Sequence, residues 1–307
     1  MTDDRPLGKR LKYTSLYWLL RFLIFIANVF PRRAWLRFGG WLGTIACRVL
    51  PKEREKAIRH LRLAFSDKPP AELAAMARDV FRMLGVNGSE IIRAVKVKTL
   101  EDLERILVTH GLENLNAAIA ERKGILFVTS HVGAFELQVA NMTFRGLTPM
   151  VVGTALKDQK LNDLLFGFRR SSGATIIERG TEGLKLVKEL LKGGSVALLI
   201  DQDTKVKSRF VNFFGRPAAT PIGAALLAMK TGATVVPAYI HFNEEDGMQH
   251  MHLHPGMPLI KTGNEEQDMI ANTQAYTTYI EEAIRKHPTQ WVWMHERWKT
   301  KPGEEMR

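Results

Sequence analysis

Residues 125–137 read ILFVTSHVGAFEL. The opening ILFVT is aliphatic and β-branched, too short for a helix and closed by a polar turn, so it predicts a strand buried on both faces. Gly133 breaks the run, and AFEL begins a stretch with helical spacing. His131 and Glu136 flank that glycine. On one continuous helix, residues five apart sit roughly 140° around the axis from each other and would diverge. They converge only if a strand ends near Ser130, the chain turns at Gly133 and a helix starts near Ala134. That geometry puts His131 in a loop at a strand's carboxyl end and Glu136 in the first helical turn. A carboxylate holding one ring nitrogen fixes the tautomer and leaves the other to take a proton, which suits general-base catalysis. A structural hydrogen bond at a strand terminus, with an acid favoured near a helix N-terminus, accounts for the same two residues.

The same grammar repeats on either side. MVVG (150–153), ATIIE (174–178), VALLI (196–200) and TVVPAYI (234–240) read as strands. Helical stretches lie between them, at 112–124, 135–146, 160–170, 181–194 and 221–232. Alternation of this kind predicts an α/β fold, a mostly parallel central sheet flanked by helices. Ligands in such sheets gather beyond the carboxyl ends of the strands. DQD (Asp201, Gln202, Asp203) follows VALLI there, as carboxylates at the sheet edge or as a polar turn. FFGRPAATP then leads toward a helix for which Thr220 is the expected N-cap and Pro221 the first residue, either to receive an anion with the help of nearby Arg216 or simply to cap the helix, which asks for the same residues. Arg169 and Arg170 end a predicted helix, where each either reaches a developing oxyanion or is solvated. No GxSxG elbow surrounds Ser130, so a serine nucleophile is not indicated.

The N-terminal part is different. Of the net charge of +12, ten units lie in residues 1–62, which hold 14 Lys and Arg against 4 Asp and Glu. The same segment carries SLYWLLRFLIFIANVF (15–30), nearly long enough to enter a bilayer core but interrupted by Arg21. Basic residues flanking aromatic and aliphatic ones favour an anionic cytoplasmic leaflet. A core helix of a soluble domain and a single tilted span are the alternatives. No cleavage site of a secretory signal follows, and Gly39, Gly40 and Gly43 permit close helix approach. We therefore expect a basic, apolar membrane-anchoring helical segment over 1–50 and a second domain over 51–307, with a helical lead-in at 51–107. Nucleic acid is not an expected partner, because the basic excess coincides with apolar sequence rather than with a polar groove and stacking aromatics.

The single cysteine, Cys47, excludes an intramolecular disulfide and a cysteine-based zinc site. His250, His252 and His254 alternate along HMHLH, a strand pattern that puts three rings on one face, but no carboxylate or cysteine framework accompanies them. No metal is expected. Trp291, Trp293 and Trp298 sit among basic residues in the tail, an arrangement that suits a membrane interface or burial against the core.

In order along the chain, PRRAWLRFGGWLG, HLRLAFSD, SHVGAFE, FRRSSG, DQDTKVKSRFVNFFGRPAATP, TGATVVPAYI and QWVWMHERWKT resemble the bacterial lipid A late acyltransferases of the lysophospholipid acyltransferase superfamily. The resemblance spans nearly the whole chain. It implies a glycerolipid acyltransferase-like fold and transfer of a fatty acyl chain from acyl carrier protein or coenzyme A to a hydroxyl of a lipid A precursor, at the cytoplasmic face of the bacterial inner membrane. It further implies His131 as base, Glu136 as its orienting partner, Arg169 as oxyanion stabiliser, and Asp201 and Asp203 as shapers of the pocket, with no cofactor. The same chemistry on a phospholipid, mannolipid or aminolipid is the alternative, and a non-enzymatic basic membrane- or nucleic-acid-binding module is the rival of another class. Two positions depart from the family pattern: Glu296 stands where relatives often carry a basic residue, and His60 where many carry Asn.

Overall fold

A computed structural model describes residues 7–153, 158, 160, 173–178 and 183–304. The strand at the centre of the sheet is β2 (Ile125–Thr129), buried at every position. Its neighbours are β5 (Ser195–Leu199) and β8 (Thr234–Asn243), both parallel to it. Beyond β5 come β3 (Met150–Gly153) and β4 (Thr175–Glu178), and beyond β8 come β9 (Met248–Leu253) and β1 (Leu107–His110). Among the described residues of this seven-stranded sheet, only the β8–β9 pairing is antiparallel. The expected α/β architecture with a mostly parallel sheet is therefore the observed one.

Both faces are covered because β2 alternates its side chains between two cores. Leu126 and Val128 face a cluster shared with the helices α8 (Gly183–Leu191), α9 (Gly223–Thr231) and α10 (Glu265–Lys286). Ile125 and Phe127 face the opposite cluster, shared with α6 (Leu112–Ala120) and α7 (Glu136–Phe144). Such two-sided burial is why the strand reads as an unbroken apolar run.

One element differs from expectation. FFGRPAATP does not lead directly into a helix: residues Arg216–Pro221 form β7, paired antiparallel with β6 (Ser208–Phe213). The connection is Phe214–Gly215, and both residues have positive φ, 53° and 72°. This is the backbone that a two-residue hairpin requires, because its turn must follow the right-handed twist of the strands. Thr220 is thus a buried strand residue, and α9 starts two positions after Pro221 with Ile222 at its cap.

Before the sheet, α1 (Leu7–Val29), α2 (Arg32–Val49), α3 (Pro51–Ala64), α4 (Pro70–Arg93) and the short α5 (Leu100–Glu104) follow one another. The glycines of α2 allow it to cross α4 at backbone contact. A Cβ on Gly43 would lie 2.1 Å from the Phe81 carbonyl oxygen, and one on Gly39 1.9 Å from Ser89 Oγ. Trp35 Nε1 donates to the Ser89 carbonyl at 3.0 Å, and Arg32 Nε donates to the buried Glu90 at 3.0 Å, locking the crossing. Among the described residues no helix is long and apolar enough to cross a membrane. Trp18, Phe22, Phe25 and Val29 of α1 and Phe38 and Trp41 of α2 are all exposed.

Candidate active site

The turn after β2 is held from three sides. Gly133 has φ +63°, and a Cβ there would lie 2.4 Å from the Ile240 carbonyl oxygen, so only glycine fits. Its N–H donates to the Gln290 carbonyl at 3.0 Å, and Val132 bridges to Trp291. The segment after α10 therefore lies against the loop that carries His131.

Asp201 follows β5, the strand next to β2, and meets His131 there. Its Oδ1 is 2.8 Å from His131 Nδ1, while its Oδ2 accepts the His131 backbone N–H at 2.8 Å and Trp291 Nε1–H at 2.7 Å. Burial alone would raise this carboxyl. The charge of His131, the ring hydrogen bond, the Trp291 N–H and the backbone N–H outweigh it and bring the pKa down to about 2. An ionised carboxylate only accepts, so Nδ1 is the nitrogen that donates to Asp201, and in the neutral ring the lone pair is then on Nε2. From spacing alone, Glu136 is the expected partner of the ring. In the folded chain Nδ1 is held by Asp201 instead, because β2 and β5 are adjacent and end together. Glu136 is the first residue of α7, with a buried side chain.

His131 lines a cavity of about 690 Å³ whose other walls are largely apolar, including Phe135, Val152, Leu186, Leu198 and Leu227. Phe135 packs edge-on against the imidazole at 4.9 Å. A base in the wall of a largely apolar cavity of this size suits a substrate with a hydrocarbon chain.

The remaining predicted residues have separate places. Asp203 is buried and accepts from Thr300 N and Oγ1 at 2.9 and 3.0 Å, tying down the tail, with half-buried Gln202 between it and Asp201. Thr220 Oγ1 receives Arg297 Nη2–H at 2.5 Å. Arg216 is exposed and donates to the Leu63 carbonyl at 3.1 Å, so it does not flank the start of α9. Arg169 and Arg170 lie outside the described residues. Sequence reasoning missed Trp291 and Arg297 as parts of this neighbourhood. Arg297 is fully buried over the Phe213 ring, and burial lowers its pKa to about 10 against the opposing pull of Asp201 and Asp203. The tryptophan-rich tail was the available signal: Trp291 and Trp293 are both buried, so the core reading of that segment is the observed one. The two departures from the family pattern meet each other, His60 Nε2 lying 3.3 Å from Glu296 Oε2 while its Nδ1 contacts the Trp293 carbonyl oxygen at 2.8 Å.

His250–Leu253 of HMHLH end β9, with His254 just beyond it, and the rings join others from β1, β8 and the end of α10. His252 stacks between His110 and Tyr239 at 4.6 and 4.7 Å, and His241 stacks on His287 at 3.6 Å. His110 Nε2 meets His250 Nδ1 at 2.9 Å, and His250 Nε2 donates to Asp246 at 2.7 Å, so these nitrogens are taken up by hydrogen bonds. Among the described residues no group of three or more His, Cys, Asp or Glu is placed to hold a metal ion.

Comparison with known proteins gives this geometry a context. The profile of the family described as bacterial lipid A biosynthesis acyltransferase matches residues 6–300. The chain is 27% identical over 235 residues to a phosphatidylinositol mannoside acyltransferase of Mycobacterium tuberculosis, covering 75% of this chain and 69% of that protein. It is 25% identical to a lipid A biosynthesis acyltransferase of Haemophilus influenzae, covering 94% and 89% of the two chains. It is 26% identical to the lipid A biosynthesis lauroyltransferase of Escherichia coli, covering 94% and 92%.

Proposed function

Because this chain belongs to the bacterial lipid A biosynthesis acyltransferase family, and is therefore an acyltransferase, we propose that it esterifies a hydroxyl of a membrane-bound glycolipid, a lipid A precursor, using an acyl thioester as donor. The observation that carries the chemistry is the His131–Asp201 pair, with His131 in the wall of a largely apolar cavity. Nε2 takes the proton from the acceptor hydroxyl as its oxygen attacks the thioester carbonyl. The tetrahedral intermediate collapses with cleavage of the C–S bond, and the imidazolium returns the proton to the leaving sulfur. An ester and a free thiol result, and no acyl-enzyme is formed. Asp201 stabilises the imidazolium in between, and Arg169 is the proposed partner of the oxyanion.

Acyl carrier protein and coenzyme A both present such a thioester. The exposed aromatic and aliphatic residues of α1 and α2, set among basic ones, support a position lying in the cytoplasmic surface of the inner membrane, where a lipid acceptor resides. Similarity to a phosphatidylinositol mannoside acyltransferase supports a second reading in which a mannolipid is the acceptor.

The test is an incubation of the purified protein with each labelled acyl donor and total membrane lipid, with the product identified by mass spectrometry. An acylated lipid A precursor is expected, and an acylated mannolipid would select the second reading. Full activity in a His131→Ala protein would overturn the mechanism.

A further inference from the structure

A second cavity, of about 510 Å³, lies between α2, α4 and the turn joining β8 to β9, and shares no residue with the one that His131 lines. Its floor is apolar, formed by Leu36, Gly40, Val86 and Phe242. The charges on its walls are separated by sign. Arg33, Arg37 and Arg82 come from the two helices, and Glu244, Glu245 and Asp246 from the turn. The lining is thus balanced overall but polarised, which suits neither a simple anion nor a simple cation.

Several of these charges already serve to brace the walls. Arg82 pairs with Glu244 through two hydrogen bonds of 2.7 and 2.8 Å, and Arg32 Nη1 donates to the Gly247 carbonyl at 2.7 Å, so the turn is strapped to both helices. Asp246 accepts from His250 Nε2 and Met248 N. Arg33 and Arg37 on one wall, one helical turn apart, and Glu245 on the other make no side-chain hydrogen bond or ion pair with another described residue. At the mouth stands Trp41, 58% exposed and stacked on exposed Phe38 at 5.7 Å, on the same helix face that carries the apolar surface.

We propose that this cavity binds the headgroup of a zwitterionic aminophospholipid, its phosphate received by Arg33 and Arg37 and its ammonium by Glu245. Arginine suits phosphate because its planar donors match the oxygens, and a primary ammonium donates to a carboxylate as a quaternary one does not. Trp41 and Phe38 lie where the glycerol and upper acyl chains leave the cavity, the level at which such rings prefer to sit. The bound lipid would fix the depth and tilt of α2 in the bilayer surface. This inference rests on the membrane-surface position given above for α1 and α2.

The test uses the full chain purified in detergent, offered phosphatidylethanolamine, phosphatidylcholine or phosphatidylglycerol, with retained lipid counted by native mass spectrometry. One phosphatidylethanolamine per chain is expected. Arg37→Gln and Glu245→Gln should each weaken retention at least about ten-fold, the loss of one charge-assisted contact. Both side chains are exposed and without a described partner, so both variants fold. Equal retention of phosphatidylglycerol or phosphatidylcholine overturns the proposal, as does undiminished retention by both variants. His131→Ala should retain the lipid unchanged, which separates this site from the catalytic reading. Flotation with vesicles tests the membrane-surface position on its own, since retention in detergent does not depend on it.

Discussion

His131 and Asp201 stand 70 residues apart in sequence, yet Nδ1 of one lies 2.8 Å from Oδ1 of the other. The contact exists because β2 and β5 pair in parallel and end at the same level, Thr129 opposite Leu199. Two residues beyond each of those strand ends come the imidazole and the carboxylate.

Asp201→Asn keeps the shape and removes the charge that stabilises the imidazolium. The turnover rate should fall by about 10²–10⁴, with a smaller change in KM. Added to His131→Ala, the same substitution should cost little further activity, because the carboxylate acts through the ring. A double-mutant cycle on acyl transfer checks this, and independent, multiplicative losses would argue against coupling.

Trp291→Phe removes the indole N–H from Asp201 Oδ2 inside a fully buried site. The carboxylate loses one of its donors, so stability should fall by about 1–3 kcal/mol. Turnover should drop while donor KM holds. Thermal denaturation and steady-state kinetics on the same protein separate the two effects.

Gly43→Ala tests the α2–α4 crossing. The added methyl would meet the Phe81 carbonyl oxygen at 2.1 Å, a backbone atom that no rotamer change can move. The helices must part, with a loss of roughly 1–3 kcal/mol or more. Gly8→Ala, where a Cβ meets nothing within 4 Å, is the control and should leave the melting temperature unchanged.

The stacked histidines set an acid limit on stability. Burial, followed by repulsion from neighbouring rings, lowers His241 to about 3 and His252 to about 4. Burial and then Lys286 lower His287 to about 4. Unfolding restores these rings to about 6.5, so between that pH and about 3–4 the unfolded chain binds more protons. Stability is therefore greatest above pH 6.5 and is lost as pH falls through that window. His241→Phe, which keeps a ring in the stack but cannot take a proton, should shift the midpoint of acid unfolding to lower pH in circular dichroism. An unchanged midpoint would show that the stack does not limit acid stability.

Much of the protein is written locally in its sequence. The apolar run at 125–129 and its repeats declare buried strands because a strand covered on both faces leaves no polar positions to interrupt it. Gly133 declares the turn because no side chain fits against Ile240, and His131 could be singled out because it follows such a strand. The hairpin at Phe214–Gly215 was not read from the sequence, because the proline and threonine after it imitate the start of a helix. What the sequence could not reveal was the imidazole's partner. Spacing ranks Glu136 first because it is near in the chain, whereas the bond depends on which strands lie side by side. The same holds for Trp291, which reaches Asp201 only after α10 has returned the chain to the sheet edge, and for Arg33 and Glu245, which face one cavity only once α2 is strapped against a distant turn. Periodicity is fixed by covalent neighbours and can be read along the chain. Contact between elements is fixed by packing, and exists only after the chain has folded.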